Sequence, residues 1–263
     1  MSSKASSGIT PEGTVVSQGT TDWVRKDIPS FKGMKAFVLP GAFYGAIVQL
    51  MAEAGFSRGR TVEESDVIVF AGGDDINPKL YGETALPTTY FDPDRDIVEE
   101  TYYHKCVRLG KVMFGICRGA QFLHAMNGGK LWQHVDGHGG KDHYIVDIET
   151  DERVLSTSIH HQMLRMNDTM TLIAVTEEQV SRFFRDDTST TTLGTNSHEL
   201  EIEAGCYPDT KCFFVQGHPE VGDSEYRSWC MTKLHDFVMD WEAVKPPTST
   251  HKEIVEEVLT QLG

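Results

Sequence analysis

Cys117 stands where an apolar run, KVMFGI (111–116), gives way to a helical pattern over 118–126. A cysteine carried by a buried strand to the first turn of a helix has a chemical use. The helix N-terminus offers partial positive charge and unpaired N–H groups, which stabilise a thiolate. Gly115 and Gly119 flank the turn at equal spacing. Small residues there relieve crowding at a sharp strand-to-helix turn, as they do around the serine of other hydrolase elbows. The Arg118 N–H is then placed to contact an oxyanion. Gly72-Gly73 ends another apolar run and can supply a second N–H.

A second cluster supplies the base. The run CFFVQ leads into Gly217-His218-Pro219-Glu220. In an extended chain, alternate residues point to the same side. Glu220 can therefore lie beside His218, fix its tautomer and stabilise its imidazolium. His218 takes the thiol proton and later returns it to a leaving group. A cysteine taken alone reads as a small buried apolar residue. A cysteine elbow together with a His-x-Glu at a strand end reads as a catalytic triad.

The elements that must position these groups follow from the apolar runs. Met34–Leu39, Asp66–Ala71 and Lys111–Ile116 read as buried strands. Ala42–Ala54, Asp94–Leu109 and Arg118–Met126 read as helices, the second through the spacing of Ile97, Val98, Tyr102, Cys106 and Leu109. GGDDINPKLYGE (72–83) reads as a polar loop. Strands alternating with helices predict a parallel α/β sheet. The second half predicts a small antiparallel extension, with strands over 130–135, 143–148, 171–175, 199–204 and 212–216. Glu177–Ser197 reads as a polar insertion, whose SRFFRD segment could be a lid, an interface or a short helix. Asp223–Trp241 reads as a helix, and His251–Leu262 as a last amphipathic one after the linker PPTST (246–250). Residues 1–30 read as a mobile tail. The expected division is a tail (1–30), one catalytic domain (31–245) and a linker with its helix (246–263).

Composition narrows the partners. The formal net charge of −15 repels phosphate backbones and anionic membrane surfaces, so neither nucleic acid nor membrane is expected. No apolar run is long enough to span a bilayer, and no secretory signal pattern is evident, so a cytoplasmic location is expected. Five cysteines without a Cys-x-x-Cys pair predict free thiols. His134, His138 and His143, with Asp136 and Asp142, could bind zinc or nickel. Their irregular spacing favours a polar loop at the site's rim instead, and no metal is expected. Asp74-Asp75 is expected to cap its loop, with Asp75 binding an amino group of the substrate.

Three motifs in this order, GGDDINPKLYGE (72–83), GICRGAQ (115–121) and VQGHPE (215–220), resemble the class I glutamine amidotransferases. The nearest resemblance is to the γ-glutamyl hydrolase branch, which includes γ-glutamyl-γ-aminobutyrate hydrolase. Arg95-Asp96 and Ser158-Ile159-His160-His161-Gln162 match further features of that branch, and the resemblance covers about residues 66–222. It implies a flavodoxin-like three-layer sandwich, with helices on both faces of a mostly parallel sheet, and no cofactor. It implies Cys117 as nucleophile, His218 as general acid and base, and Glu220 as its orienting partner. Gly73 and Arg118 would form the oxyanion hole. Gln121 would hold the α-amino and carboxylate end of the substrate, with His160 and Gln162 on the substrate-side loop. The implied reaction is hydrolysis of a γ-glutamyl amide through a glutamyl thioester. The implied partner is a small γ-glutamyl compound. If the chain is instead a glutaminase subunit, the partner is a separate synthetase or ligase. A homodimer is compatible with the sequence. A silent binding protein is the third reading, and the intact triad argues against it.

Overall fold

The computed structural model describes residues 30–192, 199–241 and 251–262. Residues 1–29 of the expected N-terminal tail, the PPTST linker and the end of the polar insertion lie outside these residues.

The sheet begins as the apolar runs predict. Strands β1 (Lys35–Val38), β2 (Ser57–Arg58), β3 (Val67–Phe70), β4 (Val112–Ile116) and β14 (Cys212–Val215) form its parallel half, in the order β2-β1-β3-β4-β14. Every residue of β3, β4 and β14 is buried. Successive strand side chains point to opposite faces, so a strand buried throughout needs cover on both. Val67 and Val69 face one core cluster, which contains Ile47, Leu50 and Met51 of α1 (Tyr44–Glu53) and Trp229, Leu234 and Phe237 of α4 (Ser224–Asp240). Ile68 and Phe70 face the other, with Tyr103 and Cys106 of α2 (Pro93–Leu109) and Phe122 and Leu123 of α3 (Arg118–Met126). Val258 of α5 (His251–Leu262) is buried in that second cluster, so the last helix packs on the same domain. Each buried Phe or Leu contributes about 1.5–3 kcal/mol.

The antiparallel extension is broad. It continues the sheet from β14 through β13 (Ile202–Tyr207), β10 (Thr171–Thr176), β7 (His143–Asp147) and β8 (Arg153–Ser156). A short pair, β5 (Leu131–Trp132) and β9 (Met163–Leu164), joins through β13. The expected strand over 130–135 is split between β5 and β6 (His134–Val135). The polar insertion is neither bare loop nor short helix. Phe183–Arg185 (β11) and Thr190–Thr192 (β12) form a three-stranded sheet with β6. Asp136 anchors it by accepting from the N–H groups of Arg182 and Phe183. Phe184 is buried against Trp132, which closes a small apolar core.

Two local expectations are corrected. The 72–83 loop contains a 3-10 turn, Pro78–Tyr81, capped by the Asn77 side chain. Helix α2 buries only part of its expected face: Cys106 is buried and Tyr102 packs on the core, but Ile97 and Val98 are more than half exposed, and Asp96, Glu99 and Tyr103 are buried in addition. The buried carboxylates have partners that the helical spacing alone does not reveal.

Candidate active site

The carboxyl ends of the parallel strands meet at one place, where open α/β sheets of this order place their ligands. β1 leads to Phe43, β3 to Gly72-Gly73, β4 to Cys117 and β14 to His218. Cys117 has φ 53° and ψ −108°, a conformation that costs a non-glycine residue about 1–3 kcal/mol. The turn is held on both sides. The Cys117 N–H donates to Val215 O at 2.9 Å, and its carbonyl accepts from the Gln121 N–H at 3.1 Å. A β-carbon on Gly119 would come within 2.0 Å of Phe70 O, and one on Gly115 within 2.7 Å of Gly119 O. Both glycines therefore have the steric role that the sequence suggests.

His218 is 2% exposed and lies between two partners. Its Nδ1 is 2.7 Å from Glu220 Oε1, and its backbone N–H donates to Thr157 Oγ1 at 2.6 Å. Burial alone would lower the His218 pKa. The neighbouring Cys117 sulfur and the hydrogen-bonded Glu220 carboxylate outweigh that and push it up to about 10. The ring also meets Phe43 edge-on, with centroids 5.2 Å apart. Phe43 has φ 55° and is 44% exposed, so it stands at the mouth of the site. Neither property can be read from its neighbours in sequence.

Gly72 lies directly against His218 and Cys117, and Gly73 against Arg95 and Arg118. A β-carbon at Gly72 would be 2.9 Å from His218 Cε1 and 3.7 Å from Cys117 Cβ. The Arg95 guanidinium holds this loop by donating to Ala71 O at 2.9 Å and Gly72 O at 3.1 Å. Arg95 pairs in turn with Glu99. The Arg118 side chain is 1% exposed and pairs with Asp96 at 2.6 Å and with Glu99. Two guanidiniums and two carboxylates thus clamp the Cys117 turn to the Gly72-Gly73 loop. Sequence reasoning used only the N–H of Arg118 and missed this clamp. Its signal was Asp96 and Glu99, spaced for one face of a helix.

The expected substrate residues are less uniform. Gln121 is 3% exposed, and its amide reaches Gln216 Oε1 at 3.5 Å. Asp75 caps its loop by accepting from the Tyr90 N–H at 2.9 Å, and it meets His161 Nε2 at 3.0 Å. Gln162 is fully buried, and its side chain donates to Gln133 O at 3.4 Å. His160 turns inward, with Nδ1 donating to Gln162 O at 2.9 Å. The histidine segment is not a polar rim loop: His138 is fully buried against Glu201, and His143 meets Glu203. His134 stands apart, beside His161.

A family model for peptidase C26 matches residues 42–220, from just before α1 through Glu220. The chain belongs to the peptidase C26 family. It is a class I glutamine amidotransferase-like protein with that group's α/β fold. Protein NtpR of Enterococcus hirae is 29% identical over 114 residues, 40% of this chain and 48% of its own. The glutamine amidotransferase-like protein YvdE of Lactococcus lactis is 30% identical over 122 residues, 38% of this chain and 51% of its own. The chain thus spans about half the length of these relatives. Among solved structures, a GMP synthase component of Thermoplasma acidophilum superposes with TM-score 0.55 at 14% identity. That match covers 85% of this chain and 98% of the other. PurLQS of Thermotoga maritima gives 0.54 at 15% identity over 77% and 98%. Among the described residues, no helix is long and apolar enough to cross a membrane.

Proposed function

We infer that this peptidase C26 protein is a hydrolase of γ-glutamyl amide bonds, with Cys117, His218 and Glu220 as its triad. One observation carries the reading: His218 is buried against the Glu220 carboxylate and shares the Gly72 backbone as a neighbour with Cys117, which sits in a strained turn at a helix N-terminus. Such a sulfur attacks the amide carbonyl carbon. The oxygen takes up the negative charge and is met by the N–H groups of Arg118 and Gly73. His218 gives its proton to the nitrogen as the C–N bond breaks, and an amine leaves. A water then attacks the glutamyl thioester, losing a proton to His218, and glutamate departs as the sulfur is released. Glu220 holds the imidazolium throughout. Asp75 and Gln121 bind the glutamyl end, His160 and Gln162 turn away from it into the interior, and Phe43 lies beside the leaving group.

A second reading is a glutaminase that passes ammonia to a partner synthetase. It is favoured by the fold shared with PurLQS and with a component of GMP synthase. One assay divides the two. Purified protein is offered glutamine and a panel of γ-glutamyl amines, and glutamate release is followed. Turnover of γ-glutamyl amines without any partner supports the hydrolase. Turnover of glutamine alone, and only with a synthetase added, supports the ammonia-delivering role. No turnover under either condition rejects both.

A further inference from the structure

The antiparallel half of the sheet encloses a second buried cluster that the triad does not use. It gathers His138, His143 of β7, His160 and Glu203 of β13. The side chains of His138 and Glu203 are 0% exposed, His160 is 1% and His143 is 10%. Glu203 Oε1 is their common neighbour, 2.9 Å from His143 Nε2, 3.7 Å from His138 Nδ1 and 3.9 Å from His160 Nε2. The rings crowd around it, with the His138 centroid 4.8 Å from His143 and 4.6 Å from His160.

Two of these imidazoles have their tautomer set from behind. Glu201 Oε1 lies 3.0 Å from His138 Nε2, and the Gln162 carbonyl lies 2.9 Å from His160 Nδ1. A carbonyl and a carboxylate only accept, so the ring protons sit on those nitrogens. The lone pairs of His138 Nδ1 and His160 Nε2 are left facing Glu203. Ser158 Oγ is 3.2 Å from His138 Nδ1 but only 2.8 Å from the His138 carbonyl, which claims the hydroxyl proton. His160 Nε2 and Glu203 Oε2 are buried and have no hydrogen-bond partner. Imidazole lone pairs aimed at a buried carboxylate repel it, and the interior offers no solvent to relieve the repulsion. Among the described residues no Lys or Arg pairs with Glu203; its ion-pair partners are the three histidines.

We propose that His138, His143, His160 and Glu203 bind a divalent transition-metal ion of the zinc class. Three imidazole nitrogens and one carboxylate oxygen suit such an ion, whereas calcium and magnesium favour oxygen donors. The donor atoms of His138, His143 and Glu203 already lie within 4.8 Å of one another. Tetrahedral donors at about 2.1 Å from a metal stand about 3.4 Å apart, so side-chain rotations close the difference. Glu201 and the Gln162 carbonyl then act as the outer hydrogen-bond partners that orient metal-bound histidines. Four protein donors fill a tetrahedral ion, which makes the role structural. The ion ties β7 and β13 to segment 157–162, whose Thr157 accepts the His218 N–H. It thus stiffens the wall behind the proposed base without touching the reacting atoms.

The test uses the full chain, stripped with a chelator and then titrated with Co(II). One equivalent is expected to bind, with the intense visible absorption of a four-coordinate ion and no thiolate charge-transfer band. Glu201→Gln should weaken binding about 10- to 100-fold. Glu203→Gln and His143→Ala should abolish it, and Cys117→Ala should leave it unchanged. Circular dichroism checks that each variant folds. If the cluster variants unfold, the wild-type spectrum decides alone. No uptake, an octahedral spectrum, a thiolate band, or binding lost in Cys117→Ala and kept in Glu203→Gln would each overturn the proposal.

Discussion

Two buried charge clusters flank the reactive turn, and they balance their charge differently. On one side, Arg95 and Arg118 face Asp96 and Glu99, two permanent cations against two carboxylates. On the other, the only ionisable partners of Glu201 and Glu203 among the described residues are imidazoles. A guanidinium keeps its charge at any working pH, so the first cluster is a fixed clamp. An imidazole can be neutral, charged or bound to a metal, so the second depends on what else occupies it. The same contrast separates two histidines of similar burial. His218 is pushed up to about 10 because its partners outweigh burial. His160 is held well below the ordinary range by burial and by the neighbouring His138.

The sharpest way to break the comparison is Arg118→Met. It strips Asp96 of its cation and leaves Glu99 with Arg95 alone, and chemical denaturation should show a loss of about 3–5 kcal/mol. Glu203→Gln, in chelator-treated protein, removes a buried charge that two imidazole lone pairs repel and should cost less than about 1 kcal/mol. Equal losses would erase the distinction between the clusters. The histidine contrast predicts a pH effect. A group whose folded pKa is raised binds more protons when folded, so it favours folding at low pH. The His218 contribution is full below its unfolded pKa of about 6.5 and is lost as pH rises through about 10. Denaturation curves between these limits should show stability falling with pH, and Glu220→Gln should flatten the fall. NMR titration should find the His218 ring charged at neutral pH and the His160 ring uncharged. A similarly small effect belongs to the 72–83 loop. Asp75→Asn weakens the bonds to the Tyr90 N–H and His161, and should cost about 1 kcal/mol.

The sequence exposes some of these features more readily than others. The nucleophile turn is legible because its parts are contiguous: a buried strand, a cysteine, two glycines and a helix. His218-Glu220 is legible for the same reason, since strand geometry alone puts the two side chains together. The clamp is harder to see. Asp96 and Glu99 lie on a charged helix beside Ile97 and Val98, which apolar spacing wrongly places inward although it places Cys106 correctly. Only their register against Arg118, set by packing α2 on α3, turns them inward. The second cluster draws on residues 138, 143, 160 and 203, joined by antiparallel pairings that the sequence does not announce. In particular, β8 hides in the mixed segment RVLS, whose side chains alternate between exposed or intermediate and buried. Strands β11 and β12 are three residues each, too short for periodicity to show.

The central claim is that Cys117 is the nucleophile for a γ-glutamyl group. The direct measurement is intact-mass and peptide mass spectrometry after exposure to a diazoketone analogue of glutamine. One label per chain is expected, on Cys117 and on none of the other four buried cysteines, Cys106, Cys206, Cys212 and Cys230. Excess γ-glutamyl substrate should protect against it, and Cys117→Ala should be unlabelled and inactive while still folded. A label elsewhere, or undiminished hydrolysis by Cys117→Ala, would contradict the account.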